Sequence, residues 1–403
     1  MTEILKLQDL PLQGKKVLVR VDFNVPLSPD GTITDDTRIQ AAIPTIEWIL
    51  DKGGTVILMS HLGRPKGKKD PTLSLASIAK HLSELLHKEV LMATDSIGEE
   101  VEQISAALPP SSILLLENLR FYEAEEKPEI DPSFAEKLAK LGDFYVNDAF
   151  GTAHRAHSST ATITQYFPNK AAAGLLLQKE IDFLGKSFSD PPQPFYAIIG
   201  GAKISSKLGV LHSLLSKVDA LFIGGGMAYT FFKARGIPIG DSLCEESLMP
   251  KALDFLKSAE EKNIPLYFPE DLVISDAFDK DANQQVITSS SGIPDGWEGM
   301  DIGPKTRELW GEKLQAAKMV FWNGPLGVFE FPRFANGTQA IAKTLSTLNA
   351  ITIVGGGDSV AAINQLGLSQ KFSHISTGGG ACLEYIEFGH LPGLDALSKG
   401  TSQ

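Results

Sequence analysis

Cysteine is almost absent from this chain. Cys244 and Cys382 are the only two in 403 residues, too few for a disulfide framework or a cysteine-built zinc site. No apolar run approaches the roughly 20 residues that span a bilayer. The N-terminal sequence MTEILKLQDL also lacks the pattern of a signal peptide. We therefore expect free thiols in a reducing compartment, the cytoplasm, and no membrane partner.

Positive charge is scarce as well. Lys and Arg together number 37 against 49 Asp and Glu, which gives a formal net charge of −12 and a pI near 5.2. A protein of this charge is a poor candidate for binding nucleic acid or an acidic membrane. The length and the 43% apolar content are enough for two ordinary domains, each with its own core.

Two common nucleotide-binding motifs are missing. No G-x-x-x-x-G-K-[ST] occurs, which excludes a P-loop protein. The dinucleotide fingerprint G-x-G-x-x-G is absent too, because Val360 and Leu383 stand where the last glycine would follow the runs 355–357 and 378–380. A nicotinamide-dependent dehydrogenase stays open as an alternative on its fold class, although the missing fingerprint opposes it.

Short apolar runs rich in β-branched residues alternate with longer helical patterns along the whole chain. This alternation predicts βαβ units, hence an α/β protein with mostly parallel sheets. Polar or glycine-rich turns follow the predicted strands, and ligands bind at the carboxyl ends of parallel strands. The predicted strands are Lys16–Val21, Thr55–Met59, Ser112–Leu116, Phe144–Val146, Phe195–Ile199, Ala220–Ile223, Leu266–Phe268, Met319–Trp322, Ile351–Val354 and His374–Ile375.

The stretch 169–187 separates two halves of different chemistry. Five of the eight arginines and five of the eight histidines precede it, whereas 26 of the 37 glycines follow it and two more lie within it. Leu177, Ile181 and Leu184 recur at helical spacing. We therefore predict one amphipathic hinge helix that joins a first domain, 1–170, to a second domain, 171–390.

Arginine in the first half predicts an anion site. Guanidinium groups bind carboxylate and phosphate oxygens through two parallel hydrogen bonds. The alternative for any single arginine is a surface ion pair of little value. Asp22 either accepts a hydrogen bond from a substrate hydroxyl or only forms an Asx turn. The candidates here are Asn24, Arg38, His61, Arg64, Arg120, His154, Arg155 and His157.

Glycine runs that open helices in the second half predict a phosphate site, because free N–H groups and the helix dipole attract anions. Asp358, at one such start, either holds Mg²⁺ on the phosphates or caps the helix. Lys203 and Lys207 share a face if Lys203 opens a helix, and both then reach phosphates. Glu330 either accepts ribose hydroxyls or is an exposed loop carboxylate.

A series of motifs resembles the phosphoglycerate kinase family, in that family's order, from about residue 17 to residue 398. The resemblance implies two Rossmann-like three-layer (αβα) domains, one for 3-phosphoglycerate or 1,3-bisphosphoglycerate and one for Mg²⁺ with ADP or ATP. It also implies that the tail 391–403 packs back on the first domain. The motifs are VRVDFNVP, SHLGRPKG, LLENLRFY, DAFGTAHRAHSS, GGAKISSK, FIGGGMAYTF, NGPLGVFE, VGGGDS and STGGGACLEYIE.

The same resemblance implies roles for individual residues. Arg38, Lys203, Gly357 and Gly380 would act on the transferring phosphoryl group, and Asp358 would hold the metal. The phosphoglycerate would contact Asp22, Phe23, Asn24, Arg38, His61, Leu62, Gly63, Arg64, Arg120 and Arg155. The nucleotide would contact Lys207, Gly299, Glu330, Gly356, Gly357, Asp358 and Ser359.

The implied protein is a monomeric glycolytic kinase that needs no nucleophile, because phosphoryl transfer depends mainly on alignment and charge stabilisation. We expect closure about the hinge to be part of catalysis, since it excludes water. The family usually has leucine where Met300 stands and threonine where Ser359 stands; the first exchange affects local packing and the second keeps the hydroxyl. A two-lobed anion-binding protein without activity is the non-enzymatic alternative.

Overall fold

The structure, a computed structural model, describes residues 4–399. Its contacts divide the chain into two compact units. The first comprises residues 4–182 and 390–399, and the second comprises Phe183–Gly389. No helix within residues 4–399 is long and apolar enough to traverse a lipid bilayer.

A six-stranded parallel sheet forms the centre of the first unit, in the order β3-β4-β2-β1-β5-β6. On the central strand, Val19 pairs with Leu58 on one side and Val146 on the other. The inner strands are continuously apolar because both faces of a parallel sheet are covered. The strands are β1 Lys16–Arg20, β2 Thr55–Met59, β3 Val90–Met92, β4 Ile113–Leu115, β5 Phe144–Asn147 and β6 Ala171–Ala173.

Helices connect these strands and bury their apolar stripes against the sheet. In the first of them, Ile39, Ile46 and Ile49 are fully buried in the same cluster as the sheet residue Val19. Such crossover helices are what parallel pairing requires. The helices are α1 Thr37–Asp51, α2 Ala76–Leu86, α3 Glu99–Ala107, α4 Glu123–Glu126, α5 Ser133–Ala139 and α6 Leu175–Glu180.

The second unit contains another six-stranded parallel sheet, in the order β15-β14-β13-β7-β8-β9. The two sheets with their connecting helices confirm the predicted α/β class. The strands are β7 Phe195–Ile199, β8 Ala220–Ile223, β9 Leu266–Tyr267, β10 Asp271–Ser275, β11 Gln284–Thr288, β12 Glu298–Ile302, β13 Met319–Asn323, β14 Ile351–Gly355 and β15 His374–Ile375. The helices are α7 Ser187–Ser189, α8 Leu208–Leu214, α9 Met227–Ala234, α10 Met249–Glu261, α11 Pro304–Leu314, α12 Asn336–Leu345, α13 Gly357–Gln365 and α14 Gly380–Phe388.

The predicted single helix over 169–187 is wrong at its start. Ala171–Ala173 is instead β6, paired with β5, because three small apolar residues fit a buried sheet edge. The helix begins at Leu175 and becomes π-helical at Ile181–Lys186. The division between the units falls between Asp182 and Phe183, later than the predicted boundary at 170/171.

A small antiparallel sheet in the order β11-β10-β12 interrupts the parallel architecture of the second unit. The sequence predicted only an excursion between elements at 276–297. The strand β11 lies inside that segment, and its residues are largely solvent-exposed. It therefore lacks the alternation of apolar residues by which a half-buried strand is recognised.

The C-terminal helix α15, Pro392–Lys399, belongs to the first unit. The Gly393 N–H donates to the Ala153 carbonyl oxygen at 2.8 Å. Leu394 and Leu397 are buried. Residues 400–403 of the predicted tail lie outside the described residues.

Candidate active site

The turn that follows β1 carries the first candidate residues. Asp22 Oδ2 lies 3.3 Å from Arg38 Nη1, and that nitrogen donates to the Asn24 carbonyl oxygen at 2.9 Å. Asp22 Oδ1 also accepts a hydrogen bond from the Asn24 N–H at 3.2 Å. Asp22 thus forms the Asx turn that the sequence left open and holds Arg38, the second residue of α1, beside the turn.

The turn that follows β2 packs against the first one. Asn24 Oδ1 accepts from the Gly63 N–H, and Arg120 Nη1 donates to the Gly63 carbonyl oxygen, both at 2.9 Å. Below the turn, the Leu62 carbonyl oxygen accepts from Asn118 Nδ2 at 2.8 Å. Phe23 is fully buried and acts through its backbone, whose N–H donates to Ser60 Oγ. The structure therefore brings three predicted loops into one hydrogen-bonded group.

Two predicted arginines extend into solvent. Arg64 and Arg155 are exposed, and within residues 4–399 neither side chain makes a hydrogen bond or an ion pair. The surface-ion-pair alternative therefore fails for these two, whereas Arg38 and Arg120 lie beside Asp22 and Glu126. Arg155 lies close enough to His157 to affect its pKa. Arg64 directly follows Gly63, whose N–H and carbonyl oxygen bond to Asn24 and Arg120, and this places Arg64 beside the hydrogen-bonded loops.

Two histidines of this region, His61 and His157, are neutral at pH 7. Burial lowers the pKa of His61 well below its ordinary 6.5, and the nearby Arg20, Arg120 and Arg38 lower it further. Burial, followed by Arg20, Arg120 and Arg155, lowers the pKa of His157 to about 3. These two imidazoles therefore add no positive charge to that of the arginines.

A cavity of about 360 Å³ opens at the carboxyl ends of the strands in the second unit. Such a volume suits the phosphate end of a small ligand. Seven predicted residues line it: Lys203, Lys207, Gly356, Gly357, Asp358, Ser359 and Gly380.

Two helices point their N-termini at this cavity. Gly356, at φ 93°, precedes α13, and Gly379, at φ 51°, precedes α14. Among the described residues, no side chain caps either helix start. The N–H groups of Gly357 and Gly380, the first of each helix, are therefore available to an anion, and the helix dipoles favour negative charge there.

The charged groups in the cavity differ in how they are held. Lys207 Nζ donates to Asn323 Oδ1, and burial lowers the pKa of Lys207. Lys203 and Asp358 are exposed, and within the described chain neither side chain has a hydrogen-bond or ion-pair partner. The condition under which Lys203 and Lys207 would share a helix face is not met, because α8 begins at Leu208 and Lys203 lies in the preceding loop. Of the two alternatives for Asp358, the one in which it caps the helix fails, because the N-cap of α13 is Gly356.

Asn323 is a cavity residue that the sequence reasoning treated only as part of a turn. It is fully buried, and in the described chain its Nδ2 has no partner. A buried amide that lacks a hydrogen bond is costly unless a ligand completes it. The signal in the sequence was its position at the end of β13, directly before GPLG. The neighbouring Ser359 Oγ accepts from the Gly324 N–H at 2.7 Å, so it supports the loop.

Two predicted nucleotide residues do not line the cavity. Gly299 lies in β12, where its N–H donates to Ser242 Oγ at 2.9 Å and an added Cβ would lie 2.1 Å from Tyr229 Oη. Glu330 is exposed in the loop after β13. Met300 is buried in a small apolar cluster with Val273 and Phe334.

The chain is similar to known proteins over nearly its whole length. The family described as "Phosphoglycerate kinase" matches residues 7–388. A relative named "Phosphoglycerate kinase" from Moorella thermoacetica is 54% identical over 98% of this chain and 99% of its own length. One from Triticum aestivum, named "Phosphoglycerate kinase, cytosolic", is 54% identical over 98% of each chain. The solved phosphoglycerate kinase structure from Coxiella burnetii matches with a TM-score of 0.86 at 38% identity, covering 98% of this chain and 99% of that one.

Proposed function

Because the chain belongs to the phosphoglycerate kinase family, we propose that its arginine-bearing loops bind phosphoglycerate and that its glycine-lined cavity binds ADP or ATP with Mg²⁺. The enzyme is a nucleotide-dependent phosphotransferase of glycolysis. It moves a phosphoryl group reversibly between 1,3-bisphosphoglycerate and ADP, giving 3-phosphoglycerate and ATP.

The phosphoglycerate site consists of the turns after β1 and β2 with the arginines around them. Within the described residues, the guanidinium groups of Arg64 and Arg155 make no hydrogen bond or ion pair. Arg38 and Arg120 are held in place by Asp22 and Glu126. A substrate with a phosphate and a carboxyl end needs several such forks plus neutral donors. His61, Asn24 and the backbone of Phe23, Leu62 and Gly63 supply the neutral part of the site.

The cavity is the observation that carries the nucleotide assignment. Two uncapped helix N-termini, two lysines and an orphaned amide converge on one space, and Asp358 is the one acidic side chain among the described residues that line it. That is the chemistry of a polyphosphate site. Gly299 and Glu330, outside the cavity, are proposed for the adenosine and the ribose on the family resemblance alone.

The phosphoryl group passes through a loose transition state whose charge is spread over its oxygens, so the enzyme stabilises charge and aligns the reactants. We assign the stabilisation of that charge to Lys203 and Arg38, together with the N–H groups of Gly357 and Gly380. The absence of a side-chain nucleophile from these assignments agrees with direct transfer. Closure about the hinge stays a prediction.

Asp358 is the residue that fits a magnesium ion. Within residues 4–399 no group of three His, Cys, Asp or Glu side chains can hold a metal ion. Magnesium, however, binds through one or two carboxylates plus the phosphate oxygens of its nucleotide. Asp358 is exposed at the first turn of α13 and lines the cavity, and its carboxylate makes no hydrogen bond or ion pair within residues 4–399. When bound, the ion would neutralise phosphate charge.

Replacing Asp358 by asparagine tests this assignment. We expect Mg²⁺ to lower the dissociation constant of ADP in the wild type. In the variant, the factor by which Mg²⁺ lowers it should be about tenfold smaller, since one charged contact is removed. Isothermal titration with Mg²⁺ or EDTA measures the difference. Asp254→Asn, on the exposed face of α10, is the matched control. Equal magnesium dependence in both variants would contradict the role.

A coupled assay tests the activity itself. The purified chain should form ATP from 1,3-bisphosphoglycerate and ADP, and it should show no oxidation or reduction of a nicotinamide cofactor. Binding of both ligands without ATP formation would favour the anion-binding alternative.

We further propose a cytoplasmic monomer. The name of the Triticum relative includes "cytosolic", and neither cysteine forms a disulfide, Cys382 being buried and Cys244 partly so. The monomeric state rests on the family resemblance alone. The net charge of −12 supports the absence of a nucleic-acid partner.

A further inference from the structure

A buried ion pair lies beneath the proposed phosphoglycerate site. Arg20, the last residue of β1, and Glu125, in α4, are both fully buried. Arg20 Nη2 lies 3.7 Å from Glu125 Oε1. Burying two charges is expensive unless each is paired and hydrogen-bonded, so the remaining contacts of the pair indicate what it does.

Ser159 connects the two charges. Arg20 Nε donates to Ser159 Oγ at 2.7 Å, and that hydroxyl donates to Glu125 Oε1 at 2.5 Å. The Ser159 N–H donates to Glu125 Oε2 at 3.1 Å. Both carboxylate oxygens therefore accept hydrogen bonds, which the ionised form does best. Burial raises the pKa of Glu125, but the adjacent Arg20 opposes that shift, and we take Glu125 as the carboxylate.

Arg20 Nη1 donates to the Val21 carbonyl oxygen, and the contact of Nη2 sets the protonation of His61. Arg20 Nη2 lies 3.3 Å from His61 Nδ1 in hydrogen-bond geometry. A guanidinium has five donors and no acceptor, so the imidazole nitrogen has to accept. A histidine that accepts at Nδ1 is neutral and carries its proton on Nε2. The identity of the partner thus decides the tautomer of His61.

The opposite nitrogen of the same ring is available. Within residues 4–399 nothing hydrogen-bonds to His61 Nε2. Nor is Nε2 among the enclosed side-chain atoms that lack a partner, so it reaches the surface. The groups whose charges act on this ring are Arg20, Arg120, Arg38 and His157. Its open side therefore belongs to the arginine-bearing surface.

We propose that Glu125 and Arg20 are positioning residues that hold His61 as a neutral imidazole, so that its Nε2–H donates a hydrogen bond to an oxygen of the phosphoglycerate. This inference rests on the proposed phosphoglycerate site and defines one contact in it. It makes His61 a directional donor, while the arginines supply the charge. Burial beside these guanidinium groups also lowers the pKa of His61, so the ring keeps this form in mildly acidic solution.

The first test is nitrogen-15 NMR of the intact wild-type protein with labelled histidine, using His61→Gln to assign the signal. We expect a protonated Nε2, an unprotonated Nδ1 and no titration from about pH 8 to about pH 5.5. A proton on Nδ1, or titration near the ordinary pKa, overturns the proposal. The readout needs no activity, so it holds even if the coupled assay fails and the proposed function falls.

The second test is kinetic. Glu125→Gln should raise the KM for 3-phosphoglycerate by about tenfold, the cost of misplacing one hydrogen bond to a charged group, and leave the KM for ATP unchanged. Glu123→Gln is the matched control, because this residue is on the same helix, half-exposed and paired only with Lys127 within the described residues. Equal values in the two variants overturn the positioning role. Should Glu125→Gln not fold, the wild-type spectrum decides the proposal.

Discussion

Lys203→Ala is expected to lower kcat by a factor on the order of 10² or more, while nucleotide affinity stays within a few-fold. Lys203 is exposed in the loop before α8, and within the described residues its ammonium group has no partner. A flexible cation of this kind gains most from the charge that develops in the transition state and little from the bound nucleotide. Steady-state kinetics measures the loss in kcat, and a separate measurement of the ADP dissociation constant shows whether nucleotide affinity is retained.

Lys207→Ala is the contrasting variant. Lys207 is partly buried and bonded to Asn323, so its ammonium group is already fixed in the cavity, and its removal should weaken ground-state binding of the nucleotide. An equal loss of nucleotide affinity in the two variants would remove the distinction between them. Because the exposed Lys203 side chain makes no hydrogen bond or ion pair within the described residues, the unfolding temperature of Lys203→Ala should equal that of the wild type.

Gly324→Ala is expected to destabilise the second unit by more than about 3 kcal/mol, combining backbone strain with a steric overlap. Gly324 has φ 93°, and an added Cβ would lie 2.3 Å from the Gly200 carbonyl oxygen. That oxygen is backbone, so neither of the two crossing turns can give way cheaply. The same turns support the cavity, and activity should fall as well.

Gly367→Ala separates the two causes. Gly367 has φ 66°, and nothing lies within 4 Å of its added Cβ, so only the backbone strain, about 1 kcal/mol, applies. Urea unfolding followed by tryptophan fluorescence suits both variants, because Trp322 Nε1 donates to the Gly324 carbonyl oxygen at 2.9 Å. If the two variants unfold at the same urea concentration, close approach of the turns is not what requires glycine at 324.

Strands were predictable where a continuous apolar run ends at a polar or glycine turn. Thr55–Met59, Phe195–Ile199 and Ala220–Ile223 have the predicted bounds, since both faces of each are buried and no residue breaks the run. Val90–Met92 and Ala171–Ala173 escaped prediction. An exposed strand such as β11 has no apolar pattern of its own and is recognised from its pairing with β10.

The sequence by itself determined the family, the α/β class, the order of the loops and the separation of an arginine-rich half from a glycine-rich half, because these depend on residue type and local spacing. Only the tertiary structure decided that Asn323 holds Lys207, that Ser359 supports Gly324 and that Arg20 donates to His61. Each of these contacts joins residues from different strand ends. Which ends become neighbours depends on the strand order of the sheet, a property of the whole domain that periodicity along the chain does not contain.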